Sequence, residues 1–376
     1  MKAGHWLRWS AACVLYYGGI IAALRRASRR GPASVLVLRY HRILRDPSKR
    51  FYRLGVPGRV FERQVAYLRR HYPLIGLEEA GKLLSGGTLT SRNAGRAAPD
   101  GRRGGGGSGA PQGRFIVLTF DDGYADNLPT ASVLAADGVP VVIFIVTGAV
   151  DSGRPFFWER LATLFERSET LRRLPARGRR ARFDRDRSRL KRLSAPEREA
   201  ELERLAAESG VTAAQLEHPH DRPMCWDEVR ALQRAGVAIG AHTATHPLLT
   251  LLTDAEIVEE VAGSVRKLKE TLGVATALFA YPTGDQDARV RRLTGSCGIR
   301  LAVTCEGGVN ATGQDPLALR RKGVGERVGQ TPLGGFSRAL WAAEVEGVFD
   351  GLRLGRRGGA GPEQSLPEGS AGEAAG

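Results

Sequence analysis

Short uninterrupted apolar runs, each followed by a helical stretch, recur along most of this sequence, and that alternation restricts it to few architectures. SVLVLRY (34–40), RFIVLTF (114–120) and VPVVIFIV (139–146) are apolar at nearly every position. Strands buried on both faces of a parallel sheet read this way. VAIGA (237–241), TALFAY (276–281), IRLAVT (299–304) and a last run at 315–321 continue the series. Helical periodicity fills the gaps: Val60, Phe61, Val65 and Leu68 within 57–71, then about 127–137, 226–235, 253–272, 286–296 and 332–352. Seven or eight strands alternating with helices predict an α/β fold with a parallel sheet. A closed barrel and an open doubly wound sheet both fit the pattern. In a barrel the chemistry lies at the C-terminal ends of the strands.

The remaining segments divide the chain. Residues 1–31 hold an uncharged run, AACVLYYGGIIAAL (11–24), followed by Arg25, Arg26, Arg29 and Arg30. A spanning helix needs about 20 apolar residues, so the expectation is a membrane-associating helix lying on an anionic surface; a helix docked on the domain is the alternative. The basic flank after the run predicts a membrane-associated protein with its main domain on the cytoplasmic side, a periplasmic or extracellular face being the other possibility. Residues 32–354 form the main domain. It is interrupted by a Gly/Ser/Arg-rich flexible insertion at 86–113 and by an Arg-rich helical insertion at 155–222. The second insertion reads as a solvated helical excursion, with a cap beside the barrel mouth as its sharper alternative. The tail 355–376 reads as disordered.

The net charge of +16 first suggests nucleic acid. Its distribution says otherwise. Residues 1–53 carry +11 and residues 154–204 carry +7, which leaves the rest of the chain at −2. No aromatic-interleaved or helix-turn-helix signature accompanies the charge, so no nucleic-acid partner is expected. Cys13, Cys225, Cys297 and Cys305 include no C-x-x-C pair, so a Cys-based zinc module is not indicated.

Three strands end in reactive groups on what must be one rim of a parallel sheet. His41 follows SVLVLRY, Asp121-Asp122-Gly123 follows RFIVLTF, and HTATHP (242–247) follows VAIGA. His242 and His246 are spaced i, i+4, and one helical turn would bring both imidazoles to one metal ion. A carboxylate from Asp121 or Asp122 would complete a two-His, one-Asp site able to acidify water and polarise a carbonyl. The other carboxylate could take a proton from water, and His41 could give one to a leaving amine. A His-His-Asp set accepts zinc, nickel, cobalt or iron; zinc is the expected ion.

VLTFDDGYADN (117–127), HTATHP (242–247) and FAYPTG (279–284) resemble the three motifs of the NodB-homology polysaccharide deacetylases, carbohydrate esterase family four. The resemblance covers roughly 34–322 apart from the two insertions. LRYHRI (38–43) is similar to the first strand of the circularly permuted branch that includes poly-N-acetylglucosamine deacetylases. The resemblance implies a distorted (β/α) barrel of about seven parallel strands and metal-assisted hydrolysis of an N-acetyl group on a glycan. It implies Asp121 as general base, Asp122, His242 and His246 as metal ligands, and His41 as general acid. Tyr281, Pro282 and Thr283 would line the substrate groove, with a backbone N–H near Thr283 facing the oxyanion. Ala280 and Thr283 stand where the third motif commonly carries Arg and Tyr. Arg320 or Arg321 is the expected replacement for that Arg. The altered motif also motivates an alternative, a catalytically impaired glycan-binding protein on the same fold. Trp158 and Trp226 are expected to pack, with sugar stacking as the second reading.

Overall fold

The computed structural model describes residues 3–44, 51–52, 54–87, 111–325 and 327–350. The tail 355–376 and residues 88–110 of the Gly-rich insertion lie outside these.

The strands are β1 (Ser34–Tyr40), β2 (Arg42–Leu44), β3 (Gly55–Pro57), β4 (Arg114–Phe120), β5 (Val141–Ile145), β6 (Ala238–Ala241), β7 (Leu278–Ala280), β8 (Leu301–Val303), β9 (Asn310–Ala311) and β10 (Arg321–Gly323). The main sheet runs β10-β1-β4-β5-β6-β7-β8, and every neighbouring pair in it is parallel. β9 adds antiparallel to β1, and β2 pairs with β3 in a separate ribbon. The segment leading into β10 joins the sheet's two ends: Leu319 bridges Val303 of β8, and Arg321–Gly323 pair with Val37–Arg39 of β1. The sheet is therefore a distorted, mostly parallel barrel, not an open doubly wound sheet.

The period-two side-chain alternation separates two cores. Val35, Val37, Phe115, Val117, Val142, Phe144, Ala280 and Val303 point inward and meet Leu77, Ala80, Leu83 and Leu84 of the helix Leu77–Leu84. Leu36, Leu38, Tyr40, Ile116, Leu118, Phe120, Ile143 and Ile145 point outward against the surrounding helices. Continuing the inward series past the last apolar residue places Arg39, Thr119 and Asp121 at the barrel mouth.

Element ends are shorter than periodicity suggests. The last strand lies at Arg321–Gly323 rather than 315–321, and the last helix at Arg338–Val345 rather than 332–352. Two corrections matter more. The N-terminal segment is a pair of helices, Ala3–Tyr17 and Ile20–Arg30, bent by 68°. Gly19 allows the break at φ 80°, a left-handed conformation that glycine adopts without strain. The first helix docks along Arg338–Val345: Arg8 pairs with Glu344, His5 Nε2 meets the Gln330 carbonyl, and Ala12 is buried, as is Ile21 on the second helix.

The second correction concerns the 155–222 insertion, which is no solvated excursion. Its helices Phe157–Arg167, Ala176–Leu190 and Ala195–Glu208 enclose Leu161, Phe165, Phe183, Leu190, Leu202 and Leu205 in a core of their own. That core is continuous with Tyr124 and Val146, which follow β4 and β5. The insertion thus sits on the mouth as a cap.

Candidate metal and catalytic centre

At the end of β4, Asp121 N–H donates to the Tyr40 carbonyl (2.9 Å), carrying the parallel ladder one residue past the strand. Asp122 (φ 73°) and Gly123 (φ 71°) then turn the chain left-handed, so the two adjacent carboxylates both remain at the mouth instead of alternating across a sheet. A Cβ on Gly123 would lie 2.7 Å from Ile145 Cδ1.

Arg321 stands directly behind Asp121. Its Nη1 donates to Oδ1 at 2.6 Å and its Nη2 to Oδ2 at 2.8 Å, while Nε donates to the Thr304 carbonyl at 2.7 Å. Both partners are fully buried. Burial alone would raise the Asp121 carboxyl; the Arg321 guanidinium, with His242 and His41 adding positive potential, outweighs it and holds the group well below the ordinary carboxylate range. Arg321, one of the two arginines the sequence offered, thus fills the place left by Ala280 in the third motif. It reaches the site from β10, beside β1 in the sheet.

Asp122, His242 and His246 converge in front of this pair. Their ligand atoms lie within 4.8 Å of one another, and all three residues are buried. Asp122 Oδ1 is 3.5 Å from His242 Nε2 and 3.6 Å from His246 Nε2. Ligands about 2.0–2.1 Å from a tetrahedral ion are roughly 3.4 Å apart, so the spacing fits one small divalent cation. His242 Nδ1 lies 2.6 Å from the Ala280 carbonyl; a proton on Nδ1 leaves the Nε2 lone pair for the ion. Burial tends to lower the His242 pKa, but the facing carboxylates Asp122 and Asp121 win and raise it. Among the described residues this donor set, one carboxylate and two imidazoles, is the group that fits a metal, and its chemistry suits zinc, nickel, cobalt or iron alike.

The His-x-x-x-His spacing works without the expected helical turn. His242 N–H continues the β5–β6 ladder to the Ile145 carbonyl (2.9 Å), after which Thr243 (φ 67°) and His246 (φ 58°) fold the loop. Glu260, on the helix Asp254–Leu272, accepts from Ala244 N–H and Thr245 N–H at 2.9 Å each and from Thr245 Oγ1 at 2.6 Å. Thr243 Oγ1 accepts from His246 N–H at 3.0 Å. Asp122, Thr243, His246 and Thr283 are the four non-glycine residues with positive φ among the described residues. Each such conformation costs on the order of 1–2 kcal/mol, and all four fall on the three motif segments, where surrounding hydrogen bonds sustain them.

The cap touches this loop. Trp158 stacks on Phe156 (centroids 4.6 Å, 4°) and turns its ring edge-on to His246 at 5.0 Å. Its Nε1 donates to Tyr124 Oη at 2.7 Å. Arg198 Nη2 donates to the Thr245 carbonyl at 3.0 Å. Composition alone could not assign these contacts. Trp158 packs, as expected, but against a metal-binding candidate rather than a remote core. Trp226 donates from Nε1 to Asp151 Oδ1 at 2.8 Å in an exposed contact, and its ring packs partly buried against the main core.

His41 sits half-buried at the end of β1, near enough to Asp121 to contribute to its potential. Asn127 fixes the backbone around it, donating to the His41 carbonyl (2.6 Å) and accepting from Ile43 N–H (3.1 Å). Tyr281 directs its side chain away from the mouth: it is fully buried and donates to the Leu317 carbonyl at 2.9 Å. The side chain thus faces the core rather than the groove, and its N–H and carbonyl bond Val303 and Gly284. Pro282 and the half-buried Thr283 (φ 57°) form the turn at the end of β7.

Comparison with known proteins agrees with this geometry. The family model described as polysaccharide deacetylase matches residues 108–302, just over half of the chain. A 65-residue stretch is 43% identical to chitin deacetylase 1 of Cryptococcus neoformans, covering 17% of this chain and 14% of that protein. The fold is similar to that of IcaB from Ammonifex degensii (TM-score 0.52, 22% identity, 83% of this chain and 98% of that one). It is also similar to that of the Streptococcus pyogenes deacetylase PplD, solved in complex with acetate (TM-score 0.51, 17% identity, 79% and 95%). The family match, falling on the segments that bring Asp121, Asp122, His242 and His246 together, establishes that this chain belongs to the polysaccharide deacetylase family of enzymes.

Proposed function

We propose that this chain removes N-acetyl groups from a glycan by metal-assisted hydrolysis. The observation that carries the reading is the juxtaposition of an ionised, Arg321-held Asp121 with the Asp122–His242–His246 donor set. A divalent ion held by those three residues supplies an acidified water and a polarised acetyl carbonyl. Asp121 takes the proton from the attacking water as its oxygen bonds to the acetyl carbon. Arg321 occupies one lone pair on each Asp121 oxygen, and a second remains free to accept that proton. The main-chain turn at Pro282–Gly284 offers an N–H to the oxyanion. The C–N bond then breaks, His41 gives its proton to the departing amine, and acetate leaves. The order of the motifs, with the acid His on the first strand, favours an amino-sugar polymer or oligomer as substrate. The fungal relative's name, a chitin deacetylase, points the same way.

Arg321 also weighs against the impaired glycan-binding alternative, because the charge missing from the third motif is restored at the base. The test is acetate release from defined N-acetylated oligosaccharides and lipid-linked sugars by zinc-loaded protein. Wild type is expected to turn over, Asp121→Asn to keep its metal but lose about 10³-fold in rate, and Asp122→Ala to lose the metal itself. Equal acetate release by wild type and Asp121→Asn, or none from either across the panel, would overturn the reading.

A further inference from the structure

We infer that the two N-terminal helices form a rigid docking face for an anionic lipid bilayer. This stands apart from the reaction chemistry. Among the described residues, twelve large hydrophobic side chains are exposed, and six of them fall between Trp6 and Leu24. That concentration marks a patch rather than scattered surface residues.

Helical spacing aligns five of the six, each within its own helix. Leu7, Val14 and Tyr17 are 73, 70 and 81% exposed, and with Ser10 they recur at intervals of three and four along Ala3–Tyr17. Ile20 and Leu24 do the same on Ile20–Arg30. The opposite sides of both helices are engaged: Ala12 and Ile21 are buried, Arg8 pairs with Glu344, and Arg25 donates to Tyr67 Oη at 2.9 Å. The apolar band is what the folded domain leaves uncovered after docking.

Charge identifies the occupant. Residues 3–30 contain no acid, and the exposed Arg26 and Arg30 close the band at its end, while Arg25 and Arg29 bond Tyr67 and the His71 carbonyl of the domain. An apolar stripe bordered by arginines suits the boundary between acyl chains and anionic headgroups, where each basic residue near the surface adds roughly 1 kcal/mol. A second copy of the chain would set one arginine collar against another. The helices also suit lying on a bilayer better than crossing one. No single helix among the described residues is long and apolar enough to span, and the bent pair could straighten only by extracting Ala12 and Ile21 from the core and parting Arg8 from Glu344.

The experiment is flotation of the full chain with vesicles of phosphatidylcholine alone and with phosphatidylglycerol added, together with its mass in solution by light scattering. The expected result is a monomer that floats with phosphatidylglycerol vesicles, at least tenfold less with phosphatidylcholine alone and at least tenfold less in the variant Leu7→Glu/Val14→Glu/Tyr17→Glu. These side chains are exposed, so the variant is expected to keep the wild-type melting temperature. If its fold is disturbed, Arg26→Glu/Arg30→Glu, altering only exposed side chains, serves instead. Wild type that stays unbound, binding that survives both sets of substitutions, or a dimer that the glutamates dissolve would each overturn the inference.

Discussion

Arg321 closes both arms of its guanidinium on Asp121, Nη1 on Oδ1 at 2.6 Å and Nη2 on Oδ2 at 2.8 Å, across 200 residues of sequence. The pair is buried, so its geometry decides whether Asp121 carries a charge at all. Removing the guanidinium leaves burial as the dominant influence, and the carboxyl pKa rises. Arg321→Met is therefore expected to lower kcat by about 10²-fold. It is also expected to destabilise the protein by about 3–5 kcal/mol through the unpaired buried carboxylate. Arg321→Lys, with one point donor in place of a planar fork, is expected to recover stability before rate. Steady-state acetate release and urea unfolding check both; wild-type kcat in Arg321→Met would dismiss the role.

Arg198 reaches from the cap to the Thr245 carbonyl, one residue before His246. Partners that orient metal ligands typically influence affinity by about 10–100-fold. Arg198→Met, which keeps an apolar stem over the Phe157 ring, is expected to weaken zinc binding by about tenfold. Chelator competition on the intact protein reads this without an activity assay. Unchanged affinity would reduce the cap to a covering layer.

Gly284 ends the turn after β7 at φ 74°, and a Cβ there would lie 2.5 Å from both Cys305 Cβ and Cys305 N. Backbone cannot yield as a side-chain tip can. Gly284→Ala is expected to destabilise by about 3 kcal/mol, combining the left-handed cost with overpacking. A thermal melt near that of wild type would show that the turn can relax.

His71 lies between the main domain and the N-terminal helices. Burial first, then the charges of Arg25, Arg29, Arg70 and Arg338, lower its pKa from 6.5 to about 4. A group that binds its proton less readily when folded favours the folded state at high pH. The contribution is present above pH 6.5 and is lost as pH falls towards 4. His71 is partly exposed, so the effect is modest. Wild type is expected to lose more thermal stability than His71→Asn between pH 7 and pH 5. Parallel melting curves would remove His71 from the account.

What the sequence made legible follows from range. His41, Asp121, Asp122, His242 and His246 each close an apolar run, and a parallel sheet has only one rim on which such ends can meet. Arg321 was half-visible: a missing charge in the third motif demanded a replacement, but nothing local distinguishes Arg321 from Arg320. The structure makes the choice because Arg321 points inward in register with Val37 of β1, while Arg320 precedes the strand. The helical turn expected for His242–His246 failed because i, i+4 spacing fixes separation along the chain, not backbone conformation; Glu260 folds the loop from another helix. The insertion misled by composition. Its arginines dominate the count, yet a few apolar residues per helix suffice to build a core and set its Trp158 against His246.

The place of β10 in the sheet has a consequence for biosynthesis. A ribosome delivers His41, Asp121, Asp122, His242 and His246 well before residue 321. Until that strand emerges and settles beside β1, the nascent protein holds its metal donors but lacks the counter-ion that keeps Asp121 charged. Polypeptides that stop short of Arg321 would lack both the last strand beside β1 and the guanidinium that pairs with Asp121, so the barrel and its buried ion pair are completed together.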